Sequence, residues 1–94
     1  MIYRTQVKII ADILSATKEY DYDEQGAGVT TIIRKANLSH SRLTKILRDL
    51  VSSGLLEETS KGKVSKYRIS EKGEHFLREY QRFEEFATSF GLRL

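Results

Sequence analysis

Between Ser39 and Arg48 the chain carries His40, Ser41, Arg42, Thr44 and Lys45, spaced between the apolar residues Leu43, Ile46 and Leu47. These side chains offer hydrogen-bond donors and fixed positive charge rather than an acid, a base and a nucleophile that converge. An arginine fork can bond guanine O6 and N7 together, and hydroxyls and imidazoles can meet other base edges. His40, Ser41, Arg42, Thr44 and Lys45 are therefore the candidate base contacts, with Arg42 foremost. Phosphate contacts call for charge and small donors. Arg34, Lys35, Ser39 and Arg48 fit that role here, and Lys61, Lys63, Lys66 and Arg68 fit it further along.

Other chemistries find little footing. The chain has no cysteine and only His40 and His75 as histidines, so no metal set is expected. Asp21-x-Asp23-x-Gln25-Gly26 opens like a calcium loop, but Ile32 stands where the twelfth-position carboxylate belongs. That stretch is expected to be a solvated acidic loop. Gly26-x-Gly28 lacks a third glycine and a preceding strand. No cofactor, no small-molecule ligand and no enzymatic activity are expected.

The elements that must position these residues follow from periodicity. Val7, Ile10 and Leu14, widened by Ile9 and Ile13, predict a helix from about Tyr3 to Lys18. Residues 19–28 predict an exposed loop. Thr30 is a candidate N-cap for a short helix ending near Lys35, where Asn37 suits a left-handed stop. Ser39 caps a third helix, residues 39–53. Its apolar face is Leu43, Ile46, Leu47, Leu50 and Val51, and Gly54 ends it. Strands are predicted at Leu55 to Thr59 and Val64 to Ile69, joined by a turn at residues 60–63. Ser70 then caps a last helix that reaches about Phe90. The predicted fold is mainly α with a small β-hairpin. Its order, α-α-α-β-β-α, is a helix-turn-helix followed by a wing.

Charge is distributed to match. The 94 residues carry a net +3, and residues 34–68 hold nine Lys/Arg against three Asp/Glu, between slightly acidic flanks. A local anionic partner is implied, and double-stranded DNA fits it best. The plain alternative is an amphipathic core helix with a solvated basic face. Two basic elements, helix and hairpin, weigh against it.

The run KANLSHSRLTKILRDLVSSGLLEE, followed by SKYRISEKGEHFL, resembles the small archaeal winged-helix regulators and 10 kDa chromatin proteins. The shared positions are Ala36, Asn37, Leu38, Ser39, Gly54, Leu55, Tyr67, Ser70, Lys72 and Gly73. The likeness covers roughly residues 5–80. It implies a winged helix that binds DNA, an archaeal origin, and dimerisation through an antiparallel pair of last helices. The family often has an aromatic residue at the position of His40.

The last helix supports a dimer by its own spacing. Phe76, Tyr80, Phe83, Ala87, Phe90 and Leu94 alternate by four and three, the a/d pattern of a coiled coil. Leu77 and Phe86 fall outside that seam and are free to pack on the parent domain. The alternative is a monomer whose last helix folds back on the first. One domain is expected, with a DNA-binding unit over residues 1–70 and a dimerisation helix over 71–94 packed on it. No apolar run approaches a membrane span and no leader is evident, so the expected location is cytoplasmic and nucleoid-associated. Three functions stay open: a dimeric transcriptional regulator, a sequence-nonspecific architectural protein, and a module that binds protein. RNA binding is weaker, because Tyr67 is expected to face inward and the sheet is too small for base stacking.

Overall fold

The fold is that of a computed structural model, which describes residues 5–22, 24–61 and 64–93. Seven elements follow in the order α1 (Gln6–Glu19), β1 (Ala27–Gly28), α2 (Val29–Ala36), α3 (His40–Ser52), β2 (Leu56–Lys61), β3 (Val64–Ile69) and α4 (Glu71–Ser89). The strands form one antiparallel sheet in the order β1-β3-β2.

Each long helix starts at a side-chain cap. Thr5, Ser39 and Ser70 accept hydrogen bonds from the amides of Lys8, Arg42 and Gly73, which satisfies a donor the first turn leaves free. The helix-to-helix turn is Asn37, Leu38 and Ser39. Asn37 takes the left-handed conformation, and its N–H closes α2 on the Ile33 carbonyl at 2.9 Å. α2 itself starts earlier than the sequence predicts. Its cap is Gly28, not Thr30, because the chain leaves β1 in extended form and turns directly into Val29.

One apolar cluster holds the domain. Ile13 and Leu14 from α1, Ile32 from α2, and Leu43 and Leu47 from α3 are fully buried. Leu77 and Tyr80 bring the first half of α4 onto the same cluster. Val51 is only half-buried at its edge, as are Ile10 and Leu38. Val7, expected in the stripe of α1, is exposed at its start. The buried face of α1 is rotated to Ile9, Ile13, Ala16 and Thr17, and the Thr17 hydroxyl donates to the Ile13 carbonyl at 2.7 Å.

The start of α4 is tied to the end of α3. The Ser70 hydroxyl donates to the Gly54 carbonyl at 2.6 Å and accepts from the Gly73 amide at 3.0 Å. A Cβ on Gly73 would lie 2.1 Å from the Leu55 carbonyl oxygen, so only glycine lets the helix approach this closely. This knot gives Ser70, Gly73, Gly54 and Leu55 their physical reason.

The expectation of an exposed loop over residues 19–28 is corrected. Ala27 and Gly28 form a third strand, pairing with Tyr67 and Lys66. The hairpin is also longer than predicted. Ser60 and Lys61 belong to β2, and Lys61 pairs with Val64; residues 62–63 of the predicted turn lie outside the described residues.

Candidate nucleic-acid interface

α3 is built to separate an inner face from an outer one. Leu43, Ile46, Leu47 and Leu50 are buried, while His40, Ser41, Arg42, Lys45 and Arg48 are exposed. At 3.6 residues per turn, Ser41, Lys45 and Arg48 fall on one stripe, with Arg42 beside it. None of the three cations makes a salt bridge among the described residues. Thr44 is half-buried, and its hydroxyl donates to the His40 carbonyl at 2.7 Å. Ser39 spends its side chain on the cap, accepting from the Arg42 amide at 3.3 Å. Arg34 and Lys35 stand exposed in the last turn of α2, just before the turn into α3.

The hairpin does not add all of its cations to that surface. Side chains alternate between sheet faces. Leu56, Glu58 and Tyr67 share the inner face, toward α3; Glu57, Thr59, Lys66 and Arg68 share the outer one. Tyr67 is buried, as expected, and donates to Glu58 Oε2 at a long 3.5 Å. Burial, together with the charge and hydrogen bond of Glu58, pushes the Tyr67 hydroxyl above its ordinary value, while the charge of Arg48 opposes the rise. Arg48 and the exposed Glu58 thus both act on the Tyr67 hydroxyl, with opposite sign. Nothing in the sequence pattern singles out Glu58 or the exposed Asp49.

On the outer face, Arg68 Nε donates to Asp21 Oδ2 at 2.8 Å. Asp21 Oδ1 accepts from the Gly26 amide at 2.8 Å, and the Thr59 hydroxyl donates to the Gln25 carbonyl at 2.8 Å. Burial opposes ionisation of Asp21, but the bonds from Arg68 and Gly26 outweigh it and hold its carboxyl below the ordinary value. Gly26 has φ of 106°, and a Cβ there would meet the Tyr67 carbonyl at 3.0 Å. The acidic stretch is thus a strap bonded across the sheet, not a purely solvated loop. No pattern in the sequence linked Asp21 to Arg68, 47 residues away. Lys66 is half-buried on this same face. Lys63 and the side chain of Lys61 lie outside the described residues.

The predicted seam of α4 divides in two. Tyr80 and Ala87 are buried in the chain's own domain, and Phe76 is half-buried against the core. Lys8 bridges Asp12 at 3.5 Å and Glu84 at 3.6 Å, which fastens α1 to this part of α4. Phe83, Phe86 and Phe90 stay 57%, 61% and 68% exposed. Phe86 is not on the parent domain; it meets Phe90 edge to face, with centroids 5.1 Å apart. Leu94 lies outside the described residues.

A tight turn between α2 and α3, a buried apolar face on α3 and an antiparallel hairpin after it define a winged helix. The chain belongs to the winged helix-turn-helix family, whose model matches residues 3–88. It is similar to a crystal structure described as Sso10a-2, a DNA-binding protein from Sulfolobus solfataricus. The two share 25% sequence identity with a TM-score of 0.77, over 93% of this chain and 85% of that one. No curated protein matches the chain. No helix among the described residues is long and apolar enough to cross a membrane.

Proposed function

We propose that this protein binds double-stranded DNA as a homodimer and acts as a transcriptional regulator. The observation that carries the reading is the exposed stripe of α3, where Arg42, Lys45 and Arg48 form no ion pair among the described residues. α3 enters the major groove by its N-terminal end, with His40, Ser41, Arg42 and Lys45 at base edges. Arg34, Lys35 and Arg48 meet phosphates, and the tip of the wing lies along the backbone. The similarity to a protein described as DNA-binding supports the same reading.

The exposed stripe Phe83, Phe86 and Phe90 supports a dimer seam on α4. Its spacing of three and four residues is that of a helix pair. The seam is shifted from the one expected, since Tyr80 and Ala87 are already covered. A two-fold dimer would present two copies of α3 to half-sites one or more duplex turns apart.

Selection of bound duplexes from a random pool, followed by fluorescence anisotropy on the winners, tests the regulator. A preferred site held about 10³-fold more tightly than random duplex is the expected result. Equal affinity for every duplex would replace the regulator with an architectural protein. No binding at low salt would leave protein-protein interaction as the function of the fold.

A further inference from the structure

We infer that the acidic strap before β1 is an internal competitor for DNA phosphate, closing the outer face of the hairpin so that a duplex engages the protein from the α3 side only. The inference rests on the proposed DNA binding and adds to it the determinant of which face is used.

A guanidinium binds carboxylate and phosphate with the same fork geometry. Arg68 is 39% exposed by side chain, open enough for a phosphate to reach, but its Nε is held by Asp21. Asp21 is only 11% exposed, and its other oxygen is fixed by the Gly26 amide. The strap is pinned a third time where Thr59 donates to the Gln25 carbonyl. Asp21 therefore occupies the position a phosphate would take, and it is positioned before any ligand arrives. Glu24 and Glu57 add negative charge around the same guanidinium. Among the described side chains the outer face sets Arg68 and Lys66 against these three carboxylates, so this part of it carries no net attraction for a polyanion. On α3, Arg42, Lys45 and Arg48 form no ion pair among the described residues. The bound carboxylate thus makes a symmetric-looking basic hairpin one-sided.

The experiment compares the wild type with Asp21→Asn, Glu24→Gln combined with Glu57→Gln, and Asp21→Asn in an Arg68→Gln background. Far-UV circular dichroism and thermal melting establish that each is folded. Two ligands are titrated: a mixed-sequence duplex at several salt concentrations, and inorganic tripolyphosphate followed by the NMR resonance of Arg68 Nε–H. In Asp21→Asn the duplex should bind roughly threefold more tightly or better, and log K against log salt should steepen by about 0.9, one added phosphate contact. The gain should vanish when Arg68 is Gln. Tripolyphosphate should move the Arg68 resonance at lower concentration in Asp21→Asn than in wild type. The Glu24, Glu57 pair should show a smaller gain of the same sign, and it decides the matter if Asp21→Asn does not fold. Unchanged or weaker binding in the folded variants, with an unmoved Arg68 resonance, would overturn the inference. A tripolyphosphate response without duplex binding by any of the proteins would keep the internal competition and sink the DNA-binding reading instead.

Discussion

On α3, Arg42, Lys45 and Arg48 stand in solvent without an ion pair among the described residues. On the outer face of the hairpin, Arg68 is bonded to Asp21 and Lys66 lies half-buried beside Gly26. Both surfaces look alike in composition: arginine and lysine at regular spacing near small polar residues. Their availability differs. A cation held by a half-buried carboxylate must lose that partner before it gains a phosphate, whereas one in water loses only its hydration. Counting basic residues therefore overstates the hairpin and understates how much of the proposed binding falls to one helix.

The largest test of that contrast is charge reversal on α3. Arg42→Glu combined with Lys45→Glu should weaken duplex binding by about 100-fold or more at ~0.1 M salt, since it removes two contacts and adds two repulsions. Anisotropy titration reads this directly. Lys66→Glu, a single reversal on the outer face, should cost less than roughly threefold. Comparable losses on the two faces would erase the distinction.

Breaking the seam comes next. Phe86→Asp with Phe90→Asp should convert a dimer to a monomer in sedimentation equilibrium. The accompanying loss of duplex affinity should be at least about tenfold, because each α3 then binds alone. A protein that is monomeric before the change would remove the two-fold part of the account.

Arg48→Ala sharpens the comparison within α3. It should weaken binding several-fold across all sequences and flatten the salt slope by about 0.9, the signature of one phosphate contact. Arg42→Ala should instead cost about 1–3 kcal/mol at the preferred site and relax the choice of base there.

The smallest effect concerns pH. Asp21 is held below its ordinary value, so the fold favours its ionised form. Its contribution to stability is complete above the pKa of an unfolded aspartate, about 3.9, and fades as pH falls through the lower folded value. Melting curves of wild type and Asp21→Asn should therefore converge as the pH drops below that range. A gap that stays constant down to the most acid pH would show that the carboxylate's charge is not what holds the strap.

Much of the fold was legible because its signals are local. Caps at Ser39 and Ser70, the left-handed Asn37 and the apolar face of α3 depend on residues within a turn or two of one another. β1 was not legible. Two residues carry no periodicity, and Ala27 and Gly28 become a strand only because β3 is beside them. The division of α4 was hidden for a related reason. Heptad spacing identifies residues that share a stripe but not which surface covers them, and here the chain itself covers Tyr80 and Ala87 while leaving Phe83, Phe86 and Phe90 open. On the candidate interface, the exposed donors of α3 followed from amphipathicity. The state of Arg68 did not, since it rests on a partner 47 residues away.

The most direct test of the central claim is a backbone-amide NMR map of the protein as a duplex is added. Shifts should concentrate at residues 39–48, with lesser ones at residues 34–35 and the hairpin tip, while residues 57, 66 and 68 stay quiet. Shifts centred on the outer face of the hairpin, or on α4 alone, would contradict it.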